Sequence, residues 1–163
     1  MTRTTRRGML RIAAWTASTV LVALAVSGPG HAASDPTGGI AGLVRRAERG
    51  DPQAQTRLGF LYQIGRGVPQ NYVEAARWQT RAACQGEPRA QYLLGLLYDK
   101  GHGVPQDYVQ AYMWLSLATA SAPPGQAEIS ARIRDAVATK LSPIALAQAQ
   151  FLAASFRPRR EGF

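Results

Sequence analysis

A chain of 163 residues with a formal charge of +9 and a single cysteine, Cys84, is long enough for one domain with a real core but cannot be stapled by an internal disulfide. Four of its 19 basic residues fall between Met1 and Arg11, and the tail carries a basic cluster, Arg157, Arg159 and Arg160. That distribution excludes a nucleic-acid binder, which needs a basic face interleaved with aromatics on the fold itself.

Residues 1–32 read as an export signal. "MTRTTRRGMLR" carries four arginines and no acid, and "IAAWTASTVLVALAV" is an apolar run of 15 that Pro29 and Gly30 break. Small residues then place cleavage after Ala32 or Ala33. The run is shorter than the ~20 apolar residues of a spanning helix, which favours removal over retention as an anchor. Within it, "TRRGMLR" resembles the twin-arginine signal, with Met9 where Phe is usual and Arg11 where Lys often stands. The general secretory route stays open. Either route leads to a periplasmic or secreted protein that meets membrane only during export, or through an uncleaved signal that anchors it in the inner membrane.

After a linker at 33–40, Leu43, Val44 and Ala47 form a short apolar stripe that predicts an N-terminal capping helix over 41–50. The stretch "GRGVPQNY" at 65–72 then returns as "GHGVPQDY" at 101–108. Aligned at that spacing of 36, sixteen positions are identical, from Ala54/Ala90 and Gln55/Gln91 to Trp78/Trp114 and Ala82/Ala118. Self-similarity at this period marks stacked helix pairs, with units over 51–86 and 87–122. In the first unit Asp51 caps a helix that Pro52 opens, Ala54, Leu58, Leu61 and Tyr62 share one face, and Gly65 ends it. Gly67 and Pro69 shape the loop, Asn71 with Glu74 forms a capping box, and Ala75, Trp78 and Ala82 make the second helix's buried stripe. Gly101, Gly103, Pro105 and the Asp107/Gln110 box repeat the design. A mid-helix glycine costs about 1 kcal/mol relative to alanine, so its recurrence as Gly59 and Gly95 implies a close approach, with Trp78 and Trp114 as the expected neighbours. The tryptophans and tyrosines read as core by their helical spacing.

"AQTRLGFLYQIGRGVPQNYVEAARWQTRAA" and "AQYLLGLLYDKGHGVPQDYVQAYMWLSLAT" resemble the Sel-like repeat (SLR), a tetratricopeptide-related helix-turn-helix unit. Two units are few, since stacked repeats commonly need about three, so capping segments have to complete the core. Beyond "APPGQ", Ile129, Ile133 and Val137 predict one helix; Ser142 caps and Pro143 opens another with Ala145, Ala149, Leu152 and Phe156 on one face, together spanning 126–157. The helix "YVQAYMWLSLATA" is apolar all round and should be covered on both sides by these two. The expected fold is all-α: a short α-solenoid with capping helices and a basic tail, 158–163.

No catalytic set, metal-ligand spacing or phosphate-binding loop is legible, and no cofactor is implied. His102 lies in a loop, apart from Cys84, which reads as packing. The resemblance implies a non-enzymatic module that binds a protein or peptide partner in a groove built from the first helix of each unit. Gln55, Tyr62, Gln91 and Tyr98 are the groove candidates. Two alternatives stay open: a cell-envelope enzyme, because some exported SLR proteins are linked to β-lactam or peptidoglycan chemistry although those are cysteine-rich, and a membrane-tethered adaptor.

Overall fold

In the computed structural model, which describes residues 39–161, each regular element is a helix. α1 spans Gly39–Glu48, α2 Pro52–Ile64, α3 Tyr72–Cys84, α4 Pro88–Lys100, α5 Tyr108–Ser121, α6 Pro124–Ala138 and α7 Pro143–Ser155. The expected export signal, nearly all of the linker and the last two residues of the tail lie outside the described residues.

Local chemistry sets the helix ends. Asp51 accepts from the backbone N–H of Gln53 and Ala54, with Pro52 in the first turn. Gly65 and Gly101 take left-handed φ values of 68° and 70° and return their N–H to Leu61 and Leu97. The capping boxes are only half built. Asn71 accepts from Val73 and Glu74, and Asp107 from Gln110, but the N–H groups of Asn71 and Asp107 donate backwards to the carbonyls of Tyr62 and Tyr98 at 2.9 and 3.0 Å. Gln70 and Gln106 add side-chain bonds to the carbonyls of Gln63 and Asp99. The repeated loop thus satisfies the free carbonyls of the helix it has just left, and the reciprocal bond from Glu74 has no donor left to serve.

Consecutive helices pack pairwise from α1 to α5, and α6 and α7 both pack on α5. Val137 and Ile133 meet Ala111 and Leu115 on one side of α5, while Leu152 and Phe156 meet Met113 and Trp114 on the other. This covering is what an all-round apolar helix requires. Ile129 departs from its expected stripe: it is 50% exposed, and Ser130 is the buried residue beside it, its hydroxyl donating to the Gln126 carbonyl.

The recurring glycines face a different neighbour from the tryptophans. A Cβ on Gly59 would lie 2.8 Å from the Gln79 amide nitrogen and 3.1 Å from the Ala75 carbonyl; on Gly95 it would meet Leu115 at 2.8 Å. One residue turns a helix by about 100°. Trp78 and Trp114 therefore reach beyond the glycine contact to the preceding unit, Trp78 against Leu43 and Ala47 beside Leu58, Trp114 against Ala82 and Ala83 beside Leu94. The glycines bring the two helices of a pair together; the tryptophans join one pair to the next.

Lys140, in the α6–α7 turn, donates to the Asp99 carboxylate of α4 at 2.5 Å and lies over the Tyr108 ring. Asp99 has a side chain only 6% exposed. Burial pushes its carboxyl up, but the hydrogen bonds and charges of Lys140 and Lys100 outweigh that and hold it below the usual carboxylate range. A carboxyl depressed in the folded state stabilises the fold above its unfolded value, near pH 4, and that contribution is lost as pH falls through the folded value. Urea midpoints should therefore decline from about pH 4 downwards. Asp99→Asn should start lower at pH 7 and decline less steeply; parallel curves would refute this role for the pair.

Candidate functional site

Two of the four groove candidates lie inside the fold. Gln55 is 0% exposed and Gln91 2%. The Gln55 amide donates to the Ala47 carbonyl at 3.0 Å and that of Gln91 to the Ala83 carbonyl at 3.3 Å. Their oxygens accept from Gln85 and Ser121 respectively. Each glutamine ties the first helix of a unit to the end of the helix before it, and neither lines an open groove in this structure. Tyr62 and Tyr98 are half-buried, packed against the core clusters around Leu58 and Trp114. Burial pushes the Tyr98 hydroxyl up, helped by the charge of Asp107. Cys84 is half-buried against the same core as Tyr98, and burial raises its thiol too.

The groove itself is lined by other residues of the first helices. A cleft of about 770 Å³ opens between α2 and α4, with Arg57, Phe60 and Ile64 on one wall, Arg89 on the other, and Arg66 of the repeated loop at its edge. The Arg89 guanidinium sits 5.6 Å from the Phe60 ring centroid, within cation–π range. Arg89 also borders a smaller cleft of about 140 Å³ between α4 and α6, beside Tyr92 and Ile129. Arg57, Arg66 and Arg89 pair with no carboxylate among the described residues, and Glu87 is the one acid on the larger cleft. Among the described residues no three His, Cys, Asp or Glu side chains come together as metal ligands would.

These wall residues were missed because they are where the two units differ: Arg57 corresponds to Leu93, Phe60 to Leu96, and Arg89 to Gln53. Divergence between copies on the exposed face of the first helix is the signal that finds them.

Stacked helix pairs closed by two further helices, with a basic cleft on their first helices, define a helical-repeat solenoid. A family model described as the Sel1 repeat matches residues 52–87 and 88–122, and this chain belongs to the Sel1 repeat family. A Sel1 repeat protein from Oxalobacter formigenes superposes with a TM-score of 0.53 at 40% identity, over 57% of this chain and 70% of that one. A protective antigen present in uropathogenic Escherichia coli strains, displaying an SLR fold, superposes with a TM-score of 0.67 at 32% identity over 72% of this chain. The alignment spans only 24% of that antigen's length. Among curated proteins none matches the chain. Sel1 repeat proteins are in general scaffolds for protein interaction.

Proposed function

We propose that this protein is an exported, non-enzymatic interaction module that takes an acidic, extended segment of a protein partner in the α2–α4 cleft. The observation that carries the reading is the set of three arginines, Arg57, Arg66 and Arg89, that pair with no carboxylate among the described residues and surround an accessible aromatic ring. Arginine forks bind carboxylates in bidentate fashion, and Phe60 with Ile64 supplies apolar contact for the residues between the acids. A cleft with three arginines against one acid, Glu87, also steers an acidic partner in a salt-dependent way. Two buried or partly buried carboxylates elsewhere are held in ion pairs, Asp99 with Lys140 and Glu161 with Arg81, which favours binding over acid–base chemistry. Export rests on the arginine-rich, then apolar, arrangement of residues 1–32. No helix among the described residues is long and apolar enough to cross a membrane.

Selection of displayed random peptides on the immobilised chain tests this. Bound peptides should be enriched in Asp and Glu and lose at least roughly tenfold in affinity against an Arg57→Glu/Arg89→Glu variant, since hydrogen bonds to charged groups contribute about 1.5–3 kcal/mol each. Selected peptides without acidic residues, or with unchanged affinity for the folded variant, would rule the cleft out.

A further inference from the structure

The segment after α7, a basic tail by its sequence, is tied down through its described residues. Pro158 packs on Gly86, the Arg159 N–H donates to the Cys84 carbonyl at 2.9 Å, and Glu161 reaches the α1–α2 turn at Gly50. There the Glu161 carboxylate accepts from Arg81 Nε at 2.9 Å, from Arg81 Nη2 at 2.5 Å and from the Gln55 amide at 2.9 Å, while its own N–H meets Gln85 Oε1 at 3.4 Å. Arg157 to Arg160 are exposed along the way.

The receptor half of this contact is held by groups other than the segment. The Arg81 guanidinium stacks 4.7 Å from the Trp78 ring centroid, and the fully buried Gln55 amide is oriented by the Ala47 carbonyl and by Gln85. Remove Glu161 and a two-pronged guanidinium and one amide N–H still converge on an empty point. That is the donor set a carboxylate requires. It is absent from the second unit, where the buried glutamine recurs as Gln91 but Leu117 and Ser121 stand at the places of Arg81 and Gln85. An open cleft of about 780 Å³ adjoins the site, with Arg46, Arg49 and Arg160 on its wall, and shares no residue with the α2–α4 cleft.

We propose that Arg81, Gln55 and Gln85 form a carboxylate-recognition site, that residues 157–161 are an intramolecular strap holding it, and that its external ligand is a glutamate on an extended, acidic segment of a protein partner. Strap and ligand are mutually exclusive, so the partner binds only as the strap lets go. Charge complementarity with Arg46 and Arg49 of the adjoining cleft, which stay in place when the strap leaves, selects an acidic segment for the residues beyond the glutamate.

The probe is a dye-labelled, amidated peptide of the strap itself, RPRREGF, read by fluorescence anisotropy against the whole chain. A short tether holds its own segment at an effective concentration on the order of millimolar, so the unmodified chain should resist the peptide. Glu161→Gln, which weakens the strap, should bind it at least about tenfold more tightly. The RPRRQGF peptide should not bind, and adding Arg81→Leu to Glu161→Gln should abolish binding. Arg81→Lys, which keeps the charge without the fork, should fall between and serves if the leucine variant does not fold. Equal affinity for the unmodified chain and Glu161→Gln, or no binding to a folded Glu161→Gln chain, would overturn the proposal. So would a concentration-dependent dimer of the unmodified chain in sedimentation that disappears in Glu161→Gln, since it would assign the site to a second copy's strap.

Discussion

Gly103→Ala should destabilise the fold by about 3–5 kcal/mol, while Gly67→Ala, at the same place in the first unit, should cost about 1–2 kcal/mol. Both glycines have left-handed φ values, 73° and 76°, so both changes carry the penalty of a side chain in that region. What separates them is the neighbour. A Cβ on Gly103 would lie 2.0 Å from the Tyr72 carbonyl oxygen and 2.7 Å from the Val73 nitrogen, which are backbone atoms at the start of α3. Nothing there yields unless the second loop lifts off the first unit. On Gly67 the contact is the far end of the Ile40 side chain at 2.7 Å, which can rotate. With typical domain stabilities of about 5–15 kcal/mol, the first change alone removes much of the margin. Urea unfolding at constant slope measures both. Equal losses would mean that the second loop does not rest on α3.

Trp114→Ala is the second large effect, about 3–5 kcal/mol for a buried aromatic. Trp114 is 6% exposed, packs on Ala82, Ala83, Leu94 and Met113, and presents its ring edge-on to Phe156 at 5.4 Å between centroids. Its loss opens a cavity where α7 meets α5. Amide exchange should therefore speed up most in α7 and the strap, and least in α2. Trp78→Ala should reverse that pattern, because Trp78 packs on Leu43 and Ala47 of α1 and carries the Arg81 guanidinium. The same protection pattern for both variants would contradict the assignment of one tryptophan to each junction.

The period of 36, the caps at Asp51 and Ser142, the left-handed Gly65 and Gly101 and the two-sided covering of α5 were all legible in the chain. Each depends on residues close in sequence or on a repeat of them. The functional surface was not legible by the same route. Identity between copies marks what every unit must do for itself: Gln55 and Gln91 recur because each staples its unit to the one before, whereas the arginines of the α2–α4 cleft are not repeated. Arg57, Phe60 and Arg89 are free to differ because they pack against nothing the fold repeats. Glu161 was out of reach for another reason: its partners Arg81 and Gln55 lie 80 and 106 positions away, and no periodicity connects them.

The most direct test of the interaction reading places a photo-reactive benzoylphenylalanine at residue 60 of the whole chain, and in a second sample at the exposed residue 73 on α3, and irradiates living cells. A discrete protein adduct at 60, absent at 73 and lost when Arg57 and Arg89 become glutamate, is the predicted result. An adduct that forms equally at 73, or that survives the double charge reversal at 60, would contradict the account.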